Sequence, residues 1–588
     1  MMDLVPGAVD RPVKTTRYLG SYSLDIKLPV DGLKFRSNLG LDARTVQDYE
    51  FWSAKTSNRG MGTSYAKNAV DKYTMFTLEN MLFYDKTFND KHTLGVTLLQ
   101  SIQEDKRESV NVAMENLPAD NLKYYDLGSG LVTNTIGSSM IKWNMASFMG
   151  RINYNYLGRY LLTVSARYDG SSRLADGHKW VLFPSAALAW RINEESFMSS
   201  TSGWLDNLKL RLGFGKTGNS AVDPYQTKGT LSLIRYPFDN GGTPTIGYAP
   251  NAMANSLLTW ETTDQWNLGI DFGVLRGRIN GTIDLYMQNT HDLLLKRQLP
   301  VVSGFPDVLS NVGKTRNKGI EVSINSMNIN SKDFQWTTDL MLSSNKEEIV
   351  ELYNGKNDDI GSKWFIGQPV NVHYDYRKVG IWQNTESDLA EMAKFAANGT
   401  EFAPGDIKIQ DVNGDYKITD ADKQILGNSR PKLIASMVNT FNYKGFDLSV
   451  FLYASFGAML YNDIYAVEHC GRNGGVKVDY WTPNNPTNAY PRPSIDEERP
   501  IYITSTYYEK ADFLRVKTMT LGYTLPKTLT NKFLVEKLRV YFTAQNPFIF
   551  TNYTEAAKVN SAGNPETNGS GFGTPSVSSW IFGINLTL

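Results

Sequence analysis

The stretch YLGSYSLDIKLPVDGLKFRSNLGLDAR, residues 18–44, decides the fold class. Its first half places Tyr22, Leu24 and Ile26 on one parity and mainly polar residues on the other. Alternate side chains of a strand point to opposite faces, so one face meets an apolar medium and the other meets water. The alternation resumes after a turn at residues 29–32, which predicts an antiparallel hairpin with one apolar face.

This alternating unit recurs along the chain, for example in the segments 151–169, 208–214, 265–288 and 580–588. The connections between the units follow a second pattern. Short turns near residues 29, 158, 276, 330 and 444 alternate with long polar stretches near 45–72, 101–146, 216–262, 344–434, 455–511 and 549–578. Short periplasmic turns and long extracellular loops are typical of outer-membrane barrels. We therefore predict an all-β fold, an antiparallel transmembrane β-barrel of roughly 17 strands of about ten residues each.

Composition removes several other classes of protein. Lysine plus arginine and aspartate plus glutamate both number 60, so no basic field attracts nucleic acid. The sequence lacks a run of about eighteen apolar residues, which excludes a transmembrane helix. Cys470 is the only cysteine, so an internal disulfide is excluded. A soluble propeller or sandwich also alternates, but charged residues on the non-apolar parity of most strands favour a wet lumen.

Longer phrases carry a family resemblance, and they extend over most of the chain. Among them are RYDGSSRLADGHKWVLFPSAALAWRINEESFM (167–198), LKLRLGFGKTGN (208–219), NVGKTRNKGIEVSI (311–324), PGDIKIQDVNGDYKITDADKQILGNSRPK (404–432) and YWTPNNPTNAYPRP (480–493). By these phrases the chain resembles the C-terminal part of the SusC/RagA family of TonB-linked outer-membrane proteins of Bacteroidetes-type bacteria.

The resemblance implies parts that the sequence does not show. Family members begin with a signal peptide, a TonB box and a plug domain that fills the lumen. A barrel of this type has about 22 strands, so about 17 here leaves about five upstream. We therefore expect residues 1–588 to be the C-terminal part of the barrel, truncated at the N-terminus and without the plug domain.

The resemblance also implies a function. We expect TonB-dependent import of oligosaccharides across the bacterial outer membrane, together with a SusD-like surface lipoprotein. A peptide importer of the same family, and a passive barrel or non-functional fragment, remain alternatives. Catalysis is not expected: Gly215, Lys216 and Thr217 resemble the end of a phosphate-binding loop, but Leu210 occupies the position of its first glycine.

One stretch inside the predicted extracellular loop region 344–434 has the spacing of a calcium loop. This is DVNGDYKITDAD, residues 411–422. We expect a structural Ca²⁺ ion bound by side-chain oxygens and the main-chain carbonyl of Lys417, with the ligands Asp411, Asn413, Asp415, Lys417 and Asp422. Tyr416 departs from the pattern, because this position normally holds glycine for a sharp turn. The alternative is a turn rich in aspartate and asparagine that only reverses the chain.

The aromatic residues have two competing explanations. Those at strand ends, such as Tyr156, Tyr160, Tyr523 and Trp580, are expected to lie at the lipid interfaces. Those in long loops are candidates for contact with the substrate or with the lid lipoprotein, namely Trp364, Tyr374, Tyr376, Trp382, Tyr480 and Trp481. A short helix is also predicted in the loop region, over residues 386–397.

Overall fold

The structure is a computed structural model that describes residues 6–60, 62–238, 245–462, 478–494, 499–533, 535–553 and 577–587. Cys470 and Leu588 lie outside the described residues. The chain divides into two compact units. Unit 1 comprises Met1–Trp190, Leu212–Trp266 and Thr290–Gly313, and unit 2 comprises Arg191–Arg211, Asn267–Asn289 and Lys314–Leu588. Across the described residues, every helix is too short or too polar to cross a membrane.

Unit 1 is built on a meander of antiparallel strands. Its strands are β1 Val9–Asp10, β2 Val13–Lys27, β3 Leu33–Trp52, β4 Tyr65–Phe88, β5 His92–Glu115, β6 Val132–Tyr156, β7 Tyr160–Ser171 and β8 Trp180–Arg191. Each strand from β2 to β7 pairs with the next, and β1 also pairs with β3. Two separate hairpins follow, formed by β10 Thr230–Tyr236 with β11 Thr245–Ala252 and by β14 Leu294–Gln298 with β15 Asp307–Asn311.

Besides β8, whose last residue Arg191 belongs to unit 2, three strands contain residues of both units: β9 Leu205–Asn219, β12 Glu261–Val274 and β13 Ile279–His291. Unit 2 continues the antiparallel pattern with β16 Lys314–Asn330, β17 Phe334–Glu351, β22 Leu433–Tyr443, β23 Phe446–Phe456, β26 Phe513–Thr524, β27 Lys537–Thr551 and β28 Ser579–Thr587, each paired with the next. Its short strands are β18 His373–Asp375, β19 Lys378–Ile381, β20 Ile407–Ile409, β21 Gln424–Gly427, β24 Met459–Tyr461 and β25 Tyr508–Lys510. Among the described residues, the α-helices are α1 Glu386–Ala397 and α2 Lys527–Thr530.

The predicted short turns are confirmed, since the chain reverses between β2 and β3, β6 and β7, β12 and β13, β16 and β17, and β22 and β23. The predicted strand length of about ten residues is wrong for β4, β5 and β6, which contain 24, 24 and 25 residues, whereas β7 and β8 contain 12 each. Much of the predicted loop 101–146 is therefore strand. Its charged residues hide the apolar alternation, but they form ion pairs in the ladder, as Lys142 Nζ does with Glu104 Oε1 at 3.0 Å.

The predicted apolar faces are confirmed by exposure of large side chains on one parity. In β28 the exposed fractions are 60% for Trp580, 72% for Phe582, 60% for Ile584 and 55% for Leu586. Such a row would be unfavourable in water, but it is suited to contact with lipid.

Aromatic side chains form two bands on unit 1. At the short-turn end, Tyr160 stacks on Tyr156 and Trp190, with ring centroids 6.2 and 6.4 Å away. Toward the other end, Trp180 stacks on Tyr168 and Phe148, with centroids 4.9 and 6.3 Å away. The strand from Tyr160 to Tyr168 spans about 27 Å at about 3.4 Å per residue, or about 20 Å along the membrane normal at a tilt of about 40°. The two bands thus fit the edges of a lipid-facing zone.

Candidate functional site

Two long connections of unit 2, residues 352–432 and 457–512, share one buried core, which we call the loop cluster. Small strand pairs stiffen it: β18 with β21, β19 with β20, and β24 with β25. Its buried residues are Ile381, Trp382, Met392, Phe395, Ile407, Ile409, Ile418, Trp481, Tyr490, Ile503 and Tyr507. The loop cluster therefore has a hydrophobic core of its own within unit 2.

The predicted helix is confirmed as α1, and local sequence explains where it begins. The Thr385 hydroxyl accepts a hydrogen bond from the main-chain N–H of Asp388 at 3.3 Å. The Asp388 carboxylate accepts one from the main-chain N–H of Gln383 at 2.8 Å. The Thr385 bond satisfies one of the main-chain donors that the first helical turn leaves free, and the Asp388 bond ties the preceding chain at Gln383 to that turn. Met392 and Phe395 then face the core of the loop cluster.

Three hydrogen bonds that involve side chains join the two connections. Trp481 Nε1 donates to Gln383 Oε1 at 2.9 Å, the Ile381 amide donates to Asn488 Oδ1 at 2.9 Å, and Lys378 Nζ donates to the Ala489 carbonyl at 2.6 Å. The partners in each contact are about a hundred positions apart in sequence. The connections consequently hold each other in place.

A cavity of about 540 Å³ opens at the junction of the two connections. Its lining includes the aromatic rings of Phe402 and Tyr502 together with the charged groups of Glu401 and Arg492. Arg492 Nε is fixed by an ion pair with Asp406 Oδ1 at 2.8 Å. The volume lies in the range of small-molecule binding sites, and polar and charged groups line the cavity together with the two rings.

Burial shifts several ionisation equilibria in the loop cluster. Desolvation, together with the Asp420 carboxylate, raises the pKa of Tyr376 to about 12. Desolvation also raises the pKa of Tyr502, and the Asp422 carboxylate adds to that rise. Burial lowers the pKa of Lys378 to about 8, because the charged ammonium group loses hydration.

The calcium-like segment, residues 411–422, is closed by its own side chains. Asp411 accepts hydrogen bonds from the amides of Gly414 and Tyr416, at 2.7 and 2.8 Å. Tyr416 adopts a positive φ of 56°, in the left-handed region that the sequence pattern requires of this position. Its ring packs edge to face on Phe395, with centroids 5.5 Å apart. The tyrosine thus anchors the segment on helix α1.

The last predicted ligand of the segment is fully buried. The Asp422 carboxylate accepts hydrogen bonds from the amides of Val412 and Thr419, at 2.9 and 2.8 Å, and it has no exposed surface. Asp415 accepts hydrogen bonds from the Lys417 amide and the Asn413 side chain, both at 2.8 Å. The described residues contain no group of three or more His, Cys, Asp or Glu side chains placed to hold a metal ion. Calcium binding stays a prediction.

The predicted contact aromatics fall into three environments. Trp382 is fully buried and Trp481 is 6% exposed, both in the core of the loop cluster, while Tyr376 packs against that core. Tyr374 contacts Phe365 at a centroid distance of 4.8 Å, and Trp364 is half-buried. Tyr480 is 45% exposed. Packing accounts for Trp382 and Trp481, and Tyr480 is the most accessible of the six.

Comparison with known proteins identifies the family of this scaffold. A family model described as TonB dependent receptor-like, beta-barrel matches residues 6–546. TonB-dependent receptor P3 of Formosa agariphila is 31% identical over 580 residues, which cover 95% of this chain and 56% of that protein. TonB-dependent receptor SusC of Bacteroides thetaiotaomicron is 35% identical over 428 residues, which cover 70% and 41%. The chain belongs to the SusC/RagA family of TonB-dependent receptors.

The SusC/RagA barrel fold is also found among solved structures. The RagAB peptide transporter matches with a TM-score of 0.82 at 21% identity, over 98% of this chain and 62% of that one. At this identity the match concerns the fold alone, which is the antiparallel β-barrel of TonB-dependent receptors, and this family resides in the outer membrane. The chain spans about half the length of the curated relatives that it matches.

Sequence reasoning missed the cavity residues of this SusC/RagA chain. Glu401, Phe402 and Tyr502 stand in irregular segments with no spacing that marks a site. The fold brings the ring centroids of Phe402 and Tyr502 to 6.3 Å from each other, although a hundred residues separate them in sequence. Only the adjacent proline-rich phrase at 480–493, which supplies Arg492, was a usable signal.

Proposed function

We propose that the protein containing this chain imports oligosaccharides across the bacterial outer membrane by a TonB-dependent mechanism. The observation that carries the proposal is the identity of 31% over 95% of the chain with a TonB-dependent receptor. Import would consist of substrate binding at the loops, followed by a conformational change powered from the inner membrane.

The cavity of the loop cluster supports a saccharide substrate. Phe402 and Tyr502 offer the flat apolar faces on which sugar rings stack, and Glu401 and Arg492 offer hydrogen-bonding groups beside them. The exposed Tyr480, with Trp364 and Tyr374, would contribute to substrate or lid contact. The partner proposed for the lid is a SusD-like lipoprotein, which would close over the loop cluster from the extracellular side.

A peptide importer is the second candidate. Two observations favour it: the fold matches that of the RagAB peptide transporter, and charged groups of both signs line the cavity. Glu401 could pair with a peptide amino group and Arg492 with a carboxylate.

Uptake by intact cells tests both candidates. Cells that express the full-length protein would be given fluorescent oligosaccharides or fluorescent peptides, with and without a functional TonB. We expect TonB-dependent uptake of oligosaccharides. Uptake of peptides alone would replace the first candidate with the second, and uptake that persists without TonB would indicate a passive barrel.

We further propose that Ca²⁺ binds the segment 411–422 as a structural ion. Asp411, Asn413 and Asp415 supply oxygens near the surface, and each carboxylate oxygen that accepts one amide bond retains a second lone pair. Lys417 would contribute its carbonyl. Asp422 would have to share its carboxylate between the ion and two main-chain amides. The ion would thus reinforce a turn that already has its own hydrogen bonds.

A further inference from the structure

Unit 1 carries a cationic cavity beside its outer aromatic band, and neither transport nor calcium binding uses it. The band consists of Phe148, Tyr168 and Trp180, whose side chains are 52%, 44% and 43% exposed. It lies away from the short turn between β6 and β7, so it marks the outer lipid boundary if short turns are periplasmic. Lys179 directly precedes Trp180 in the sequence and lines the cavity.

The cavity measures about 480 Å³ and lies where β6 extends beyond its partner β7. Met140 and Lys142 of β6 line it, on the same strand parity as the outward-facing Phe148. Most of the remaining wall comes from the segments 172–179 and 224–228, with Tyr225 and Lys228 on the latter. The lipid-facing side of β6 at Phe148 is therefore continuous with the side of the strand that lines the cavity at Met140 and Lys142.

The cavity holds three ammonium groups that a phosphate could recruit. Lys142 pairs with Glu104 at 3.0 Å and Lys179 pairs with Asp176 at 2.5 Å, and all four side chains are at least 38% exposed. Exposed pairs of this kind contribute little stability, so an incoming phosphate could replace the carboxylates at small cost. Lys228 has no salt bridge within 4.0 Å among the described residues, although its charge acts on the Asp176 carboxylate, which also lines the cavity.

An arginine adds positive charge behind an aromatic wall. The Arg173 guanidinium stacks on the Trp143 ring at 4.0 Å from the centroid, and Trp143 lines the cavity. The buried Arg173 Nε has no hydrogen-bond acceptor within the described part of the chain. Trp143 and Tyr225 provide ring faces that suit a sugar, while the cations suit an anion.

We propose that this cavity binds the phosphorylated sugar headgroup of an outer-leaflet glycolipid. Continuity with the aromatic band places a lipid headgroup beside Lys179 while its acyl chains lie along the lipid-facing side of β6, β7 and β8. The ring faces receive the sugar, and the lysines receive the phosphate. The same sugar phosphate could also arrive free in solution, so the test must separate the two sources.

Native mass spectrometry of the full-length protein in detergent can measure the binding. The probes are phosphorylated lipid A, the same lipid A after enzymatic dephosphorylation, and free glucosamine 1-phosphate. The variant is Lys179→Gln with Lys228→Gln. The matched control is Lys86→Gln with Lys91→Gln, which removes two lysines near the short turn between β4 and β5.

We expect phosphorylated lipid A to bind the wild type and the control equally. The cavity variant should bind it at least tenfold more weakly, since each lysine near a membrane surface contributes about fivefold. Dephosphorylated lipid A should bind weakly to all three proteins. The proposal would be overturned if the cavity variant and the control bound phosphorylated lipid A equally well. It would also be overturned if the wild type bound dephosphorylated lipid A as tightly as phosphorylated lipid A. Free glucosamine 1-phosphate that binds as tightly as lipid A would assign the cavity to a soluble ligand instead.

Discussion

Tyr416 holds a left-handed backbone conformation while its ring packs edge to face on Phe395, 5.5 Å away. Glycine would adopt this φ without strain, but it would remove one of the three aromatic rings that pack on Phe395, the other two being Trp382 and Phe402. The two residues show why a calcium-like segment can keep tyrosine at a glycine position: the strain of about 1 kcal/mol is offset by packing.

Replacing Tyr416 tests this balance. Tyr416→Gly should lower the free energy of local opening of the loop cluster by about 1 kcal/mol, because the loss of ring burial and the added chain entropy exceed the relieved strain. Hydrogen exchange of α1 measures the change. Tyr416→Phe is the control and should behave as the wild type, since the hydroxyl makes only a 3.5 Å contact with Lys394. Stronger protection of α1 in the glycine variant would contradict the interpretation.

Calcium binding is testable by isothermal titration of the full-length protein. We expect a dissociation constant in the range of extracellular modules, about 10⁻⁴ to 10⁻³ M. Asp415→Asn should weaken binding at least tenfold, because it removes a charged ligand. The control is Asp333→Asn, in the short turn between β16 and β17. If millimolar calcium produces no heat of binding, the segment is a metal-free turn.

Replacing an aromatic side chain of the loop cluster by alanine should affect stability strongly where the side chain is buried and weakly where it is exposed. Trp382→Ala should destabilise the loop cluster by about 3–5 kcal/mol, because it leaves a cavity in a fully buried core. Tyr480→Ala should change stability by less than about 0.5 kcal/mol. Limited proteolysis of the two variants gives the comparison. Substrate uptake by the Tyr480 variant then reports on contact rather than on folding, and unchanged uptake would remove Tyr480 from the site.

The lowered pKa of Lys378 predicts a pH dependence. Below about pH 8, Lys378 is protonated both in the folded loop cluster and after the loop cluster has opened locally. The free energy of local opening therefore does not depend on pH through this lysine. Between about 8 and its ordinary value of 10.5, the opened state binds more protons, so stability rises with pH by up to about 3 kcal/mol. Hydrogen exchange of residues 478–494, corrected for its intrinsic pH dependence, measures this rise.

Two variants assign that pH dependence to a residue. Lys378→Met should abolish the rise between pH 8 and 10, because no buried ammonium group remains. The exposed Lys356→Met should retain it. If the Lys378→Met variant still gains protection over this range, another group is responsible.

The sequence was most informative where one strand face meets lipid. The hairpin of β2 and β3, the outward row of β28 and helix α1 all follow from local patterns, because periodicity and capping act over a few residues. Around Glu104 and Lys142 the sequence predicts a loop where the structure has a strand ladder, since charges on both parities mask the alternation. The cavity beside Phe402 and Tyr502 could not be predicted, because it forms between segments that only the tertiary fold brings together.

The hydrogen bond from Trp481 to Gln383 has a consequence for engineering. Transplanting either connection alone into a related receptor would leave an indole donor or its acceptor without a counterpart, and would open a core to water. Altered substrate preference by loop exchange would therefore require residues 352–432 and 457–512 to be moved as a pair. In evolution, likewise, these segments should be inherited and recombined together.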